Sequence, residues 1–200
     1  MIIERNMKIH QESVEVLDAY AKHLKNLTPE DRYTRFCYNV KDEAIDQLIL
    51  QILYNRNEHY LFSAVIDDQR VGFVHIAKEG ADWELAVSVD KEYQAQGIAN
   101  KLMDHAIVWG KTHGIHAVYM HCITQNSKIQ HLARKHGLKT VERDGTEVTS
   151  KVELPSPTPM DYTSQFLHEQ QQILEQIVNL QRRMIKNLNP VTYTQEHNIT

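Results

Sequence analysis

At 200 residues, 42% hydrophobic and 24% charged, the chain suits one globular domain with a sizeable core plus an appendage. A formal net charge of -4, with no cluster of Lys and Arg to track a phosphate backbone, argues against nucleic-acid binding. There is no apolar run of the ~18 residues a membrane span needs and no basic segment leading into a long apolar one, so a soluble cytoplasmic protein without a signal peptide is expected.

Met7 to His10 reads as a short first strand. Val14, Val16, Leu17, Tyr20, Ala21 and Leu24 recur at helical spacing and predict a helix over 14–27. Ala44, Ile45, Leu48, Ile49, Ile52 and Leu53 predict another over 42–54, with the element Arg32-Tyr33-Thr34-Arg35-Phe36 between the two. Three strand-like runs follow, at His59–Asp67, Arg70–Ala77 and Asp82–Val89, linked by Asp67-Asp68-Gln69 and Glu79-Gly80-Ala81. Leu102, Met103, Ala106, Ile107 and Trp109 then mark a helix closed by His113-Gly114, and His116–Ile123 a strand. Asn126 is a plausible N-cap and Gly137 a plausible C-cap for the next helix. Two closing strands, Leu138–Arg143 and Glu147–Leu154, flank the turn signal Asp144-Gly145. Helices, an antiparallel meander and a βαβαββ run predict an α/β domain over residues 1–154. Its sheet should be mixed, mostly antiparallel and flanked by helices.

The alternating prolines of Pro155–Pro159 read as a stiff connector over 155–160. Residues 161–200 then form a C-terminal helix, Ser164 to Leu188, and a polar tail from Asn189. Phe166, Ile173 and Leu180, interleaved with Ile177 and Met184, fall near heptad spacing with Gln170 in the same seam. Two readings stand for this helix: it docks on its own domain, or it makes a homodimer.

The stretch richest in chemistry runs from Glu84 to Leu102, where a strand meets a small-residue turn and then a helix. The first turn of a helix carries N–H groups without intrahelical partners, and with the helix dipole they cradle a phosphate. Ile98-Ala99 after Gly97 exclude a nucleotide P-loop, which needs Lys-Ser/Thr there. A dinucleotide fingerprint needs three glycines, and this turn has one.

Gln94, Gly97 and Ala99 fit a third pattern, Gln/Arg-x-x-Gly-x-Gly/Ala, in order and spacing. This resembles the acetyl-CoA pyrophosphate loop of the GNAT N-acetyltransferase superfamily. Asn126 through Leu138 resembles the superfamily's second motif, an Asn-led helix that ends in Lys-x-Gly-Phe. The likeness covers roughly residues 7 to 154. A narrower likeness is to the GNAT domains of bacterial protein-lysine acetyltransferases of the Pat type. It is carried by Leu27–Phe36, by Glu84-Leu85-Ala86-Val87-Ser88-Val89 and by Leu132-Ala133-Arg134-Lys135.

The resemblance implies a GNAT acyl-CoA N-acyltransferase fold and N-acetyl transfer from acetyl-CoA, a cosubstrate, to a primary amine. A protein lysine slightly leads a small-molecule amine as acceptor, through the Pat-type likeness. It implies that Val87, Ser88 and Val89 present backbone groups to the pantetheine and thioester. The amides of Gln94, Ala95, Gln96, Gly97, Ile98 and Ala99 would hold the pyrophosphate. Asn126 either contacts the pantetheine region or caps its helix.

Amine acetylation needs a neutral nucleophile, and a free lysine with pKa of about 10.4 is protonated at neutral pH. A carboxylate beside the acceptor can take that proton, directly or through water. Glu84 shares a strand face with Ala86 and Ser88 and occupies the position of the catalytic base in Pat-type domains. The plainer reading is a solvated edge glutamate. The superfamily's thiolate-protonating tyrosine aligns with Ala133, so that acid is absent here, as it also is in Pat-type domains. This leaves a non-catalytic acyl-CoA-binding regulatory module as the alternative function. His121 ranks below Glu84 as a proton carrier. Arg32, Tyr33, Arg35 and Phe36 either shape the acceptor side or serve the core and its ion pairs. The twelve histidines give no matched ligand set, so no metal is expected. Cys37 and Cys122 lack metal spacing and fit a reducing compartment as two small buried hydrophobes.

Overall fold

The computed structural model describes residues 7–188. Strand β1 (Lys8–Gln11) leads into three helices, α1 (Leu17–Asn26), α2 (Pro29–Phe36) and α3 (Asp42–Tyr54). The meander β2 (His59–Ile66), β3 (Gln69–Glu79) and β4 (Asp82–Val89) comes next. Then follow α4 (Ile98–Thr112), β5 (Ala117–Ile123), α5 (Ser127–Lys135), β6 (Lys139–Asp144), β7 (Glu147–Glu153) and α6 (Pro159–Leu188). The polar tail expected from Asn189 onward lies outside the described residues.

The seven strands form one sheet in the order β1-β2-β3-β4-β5-β7-β6. Every neighbouring pair is antiparallel except β4 and β5, which are parallel. The β2–β3 hairpin closes through Asp67 and Asp68, both at positive φ (50° and 61°), which is the twist a two-residue hairpin needs.

Because side chains alternate across a strand, each face of the sheet collects its own core. One face buries Phe62, Val74, Ile76, Leu85 and Val87 with Leu102, Met103, Ala106 and Trp109 of α4. Leu61 and Phe73 on the other face meet Leu17, Tyr20 and Leu24 of α1 and Ile45 and Ile52 of α3. The result is an α/β/α sandwich, with α1 to α3 on one side and α4 and α5 on the other. No helix among the described residues is long and apolar enough to cross a membrane.

Two elements differ from their sequence reading. α2 is a full helix because Thr28 caps it, its hydroxyl accepting from the Asp31 N–H at 3.1 Å, with Pro29 at the first helical position. α6 starts five residues before the expected Ser164, and its cap explains why. The Thr158 hydroxyl accepts from the Asp161 N–H (3.2 Å) while Asp161 accepts from the Thr158 N–H (2.7 Å), so Pro159 opens the helix instead of ending the connector. The chain divides into one compact unit ending at Pro157 and another beginning at Thr158.

A pair of histidines, His75 buried and His59 half-buried, sits on the α1 face. His59 Nδ1 and His75 Nε2 are 3.1 Å apart, with the rings stacked at 25°. Burial is the main cause that lowers both imidazoles below the ordinary 6.5, and for His75 the nearby Arg35 cation adds to it. The unfolded chain therefore takes up protons that the folded pair refuses. The sign follows: stability is full above about pH 6.5 and falls as the pH drops through and below it. Urea midpoints measured from about pH 7 down to about pH 5 should decline, and His75→Phe should flatten part of the slope.

Candidate active site

β4 is paired with β3 along its whole length, from Glu79 opposite Asp82 to Gly72 opposite Val89. Against β5 it is paired at one position, Glu84 opposite Tyr119. Beyond that pair, toward Val89, no further ladder pairing joins the two parallel strands, and the backbone edge of β4 from Leu85 to Val89 has no ladder partner from β5. Glu84 thus stands at the one ladder pair that joins β4 to β5, half-buried. An exposed backbone edge next to an acidic side chain can bind an extended amide-bearing chain and accept a proton from whatever lies at its end.

The alternation of β4 sorts its residues. Leu85 and Val87 are buried toward α4, whereas Glu84, Ala86 and Ser88 face α1 and α2, each half-buried. α2 lies against both β4 and β5 on the Glu84 side. Its C-cap, Cys37, takes a left-handed conformation (φ 62°). Burial pushes the Cys37 thiol up to about 11, and the fields of Glu147, Cys122 and Glu84 add to it. That thiol is therefore not a nucleophile at neutral pH. Cys122 is buried as expected, but Cys37 is only half-buried, because a helix C-cap ends at the edge of the core.

At the Val89 end of β4, the chain makes a short 3-10 turn at Lys91–Tyr93 and enters α4 through two left-handed residues, Ala95 (φ 59°) and Gly97 (φ 81°). Gly97 is the N-cap, and neither a capping side chain nor an acidic first-turn residue occupies the N-terminus of α4. Its first-turn amides and positive dipole end stay available to an anion. A Cβ on Gly97 would meet nothing within 4 Å, so glycine is there for its φ and for the close approach it permits.

Gln94 has a different job from a phosphate ligand's side chain. Its Nε2 donates to Asp31 Oδ1 of α2 and to the Val89 carbonyl, each at 3.2 Å, and its own N–H points back to Lys91 O at 3.4 Å. Gln96 likewise donates to the Glu92 carbonyl at 3.0 Å. These bonds fix the loop from its flanks and leave the backbone of Ala95 to Ala99 as its ligand-facing part.

A second tether was not foreseen. His23 of α1 is buried, with its Nε2 2.8 Å from Ser88 Oγ and its Nδ1 2.8 Å from Asp90 Oδ1. The contact to Asp90 is short but not aligned as a hydrogen bond. The His23 ring packs on Phe73 at 4.9 Å. Together His23 and Gln94 hold the end of β4 and the loop to α1 and α2. The available clue was that His23 lies three residues after Tyr20, on the buried stripe of its helix.

Asn126 caps α5, its Oδ1 accepting from the Ile129 N–H at 3.1 Å. Ala133 is buried in the α4-side core, and its methyl group has no proton to give a departing thiolate. His121 is exposed, with Nδ1 3.1 Å from Thr149 Oγ1. Arg32 serves structure: it bonds Asp42 at 2.7 Å and the carbonyls of Val40 and Lys25. Arg35 bonds the Tyr20 hydroxyl at 3.4 Å and lies 4.8 Å over the Phe36 ring, which itself packs beside the α1-side core. Among the described residues no group of three or more His, Cys, Asp or Glu could hold a metal ion.

Gly72 keeps β4 in place. A Cβ there would come within 3.0 Å of the Ser88 carbonyl and 3.1 Å of a Val89 methyl, and a backbone neighbour yields poorly. Gly72→Ala should cost about 1–3 kcal/mol of stability and shift β4 at its open edge. Calorimetric titration with acetyl-CoA should read a weaker Kd in that variant. An unchanged Kd would show that the edge from Ser88 to Val89 is not used.

Comparison with known proteins follows the same geometry. The model described as "Acetyltransferase (GNAT) family" matches residues 22–138. No curated protein sequence matches the chain. Among solved structures, the GNAT domain of S. lividans PAT superposes with a TM-score of 0.63 at 16% identity, covering 73% of this chain and 89% of that one. PaiA N-acetyltransferase from Thermoplasma acidophilum, solved with coenzyme A, gives 0.58 at 19% identity, covering 74% and 99%. Spermidine N-acetyltransferase from Vibrio cholerae, solved with CoA and spermine, gives 0.60 at 15%, covering 74% and 95%.

Proposed function

The chain belongs to the acetyltransferase (GNAT) family, and on that premise we propose that it transfers the acetyl group of acetyl-CoA to a primary amine, with Glu84 as the base. The observation that carries this reading is the position of Glu84 at the single β4–β5 ladder pair, with the β4 edge that β5 leaves unpaired running from it toward the uncapped N-terminus of α4. A thioester laid along β4 would have its pyrophosphate at that N-terminus and its reacting carbon toward Glu84.

The residues divide the work. Amides of Ala95 to Ala99, with the α4 dipole, neutralise the pyrophosphate. Backbone groups of Val87, Ser88 and Val89 hold the pantetheine arm, and an N–H of that edge polarises the thioester carbonyl as negative charge grows on its oxygen. Glu84 takes a proton from the incoming ammonium, directly or through water, so that a neutral amine attacks. With Ala133 in place of a tyrosine, the departing thiolate takes its proton from solvent or from the amine itself.

Among acceptors, a protein lysine is favoured slightly over a small amine. The support is the Pat-type pattern in Leu27–Phe36 and in the Glu84 strand. Likeness of fold to a spermidine acetyltransferase keeps polyamines on the list. The test is release of free thiol from acetyl-CoA against a panel of lysine-containing proteins, lysine peptides, spermidine and simple amines. Turnover with one class names the acceptor. Tight acetyl-CoA binding without turnover on any member would favour the second reading, a non-catalytic acyl-CoA-binding module, for which the buried Ala133 speaks.

A further inference from the structure

The C-terminal helix α6 carries an apolar face that is open to solvent. Nine large apolar side chains between Phe166 and Ile185 are exposed, from 43% at Val178 to 62% at Ile185. Exposed apolar area of that extent on one helix face marks an interaction surface. Its main seam repeats every three or four residues as Phe166, Gln170, Ile173, Ile177, Leu180 and Met184, which is coiled-coil spacing.

The charges flanking this seam say what covers it. On one side of the seam the flanking positions are Glu169, Gln176 and Arg183: acid near the start, a neutral amide at the centre, base near the end. Gln165 holds the acid in place, its Nε2 donating to Glu169 Oε1 at 2.8 Å. In a parallel pair, the seam-flanking residue of one helix meets the opposite flank of the next. There Glu169 would face Leu174 and Gln176 would face Gln181, so neither flanking charge finds its opposite. In an antiparallel pair, like flanks meet, and a helix with acid at one end and base at the other complements a second copy of itself.

We infer that α6 pairs antiparallel with α6 of a second copy, about a twofold axis at residue 175. In this register Phe166 faces Met184 of the second copy, Gln170 faces Leu180 and Ile173 faces Ile177. Glu169 lies across from Arg183, twice by symmetry, and Gln176 meets its own copy. All six seam positions are used. Sliding by one heptad in either direction strands Phe166 or Met184 outside the seam and parts Glu169 from Arg183. The antiparallel arrangement also sets the helix dipoles head to tail. The interface is isologous, and so it closes as a dimer. It is independent of the acyl-transfer reading.

Sedimentation equilibrium of the full chain tests the inference, with acetyl-CoA binding measured alongside as a check on the domain. The wild type should sediment as a dimer and Ile177→Asp as a monomer. Glu169→Lys should weaken the dimer about tenfold, and Glu169→Lys with Arg183→Glu should restore it. Orientation is read by disulfide trapping in a Cys37→Ser background. Phe166→Cys mixed with Met184→Cys should cross-link, while neither alone should. A monomeric wild type, a dimer that survives Ile177→Asp, a charge swap that fails to restore, or self-coupling of either single cysteine variant would each overturn the proposal.

Discussion

Glu84→Gln is expected to lower kcat by about 10²- to 10⁴-fold, the usual weight of a general base, while acetyl-CoA binds with unchanged Kd. The reason lies in the single ladder pair between β4 and β5. Glu84 sits where the two strands pair, half-buried, at the far end of the open edge from the α4 N-terminus. The amide keeps the shape of the carboxylate and removes its capacity to accept a proton. Binding of acetyl-CoA depends on backbone groups of β4 and the α4 loop, which the substitution does not touch. The check is thiol release run beside calorimetric titration. Loss of rate together with loss of binding would make Glu84 a structural residue. Unaltered rate would remove it from the mechanism.

The largest stability effect is expected at Trp109, where truncation to Ala should cost about 3–5 kcal/mol. Trp109 is 1% exposed, at the centre of the α4-side core. Its ring lies 4.3 Å from Tyr60, 5.4 Å from Phe62 and 4.2 Å from His113, the last stacked at 17°. Removing it takes away packing that joins α4 to β2 and leaves a cavity that the sheet behind it cannot fill. For a domain stabilised by about 5–15 kcal/mol this is a large fraction. Urea unfolding followed by circular dichroism should show the midpoint fall. Trp109→Phe keeps an aromatic ring in the cavity and discards a buried indole N–H that has no partner among the described residues, so its loss should be much smaller. Equal losses for the two variants would mean that the site collapses around either side chain.

Both expectations start from residues visible in the sequence, though not to the same depth. Trp109 falls on the apolar period of its helix and so reads as core at once. Glu84 reads as the face-mate of Ala86 and Ser88, and the structure places all three on the α1 and α2 side. The bounds of α3 and β4 coincide with their predicted spans, because strong local patterns end there at turn or capping residues. The sequence pattern makes α6 look shorter than it is, because five residues of alternating proline look like a connector. Proline at the first turn of a helix needs only the cap that Thr158 and Asp161 provide.

The order of elements, the strand-to-helix turn at Gly97 and the family to which these motifs point are legible in the chain alone. These features rest on residues close in the chain, where period, cap and left-handed φ are local properties. It takes the folded molecule to show that β4 and β5 share a single ladder pair, Glu84 with Tyr119. The fold alone brought His23 against Ser88, a hydrogen bond between residues 65 positions apart, and His59 against His75 across neighbouring strands. Such contacts are fixed by strand register and by how α1 seats on the sheet, and no spacing within either segment records them.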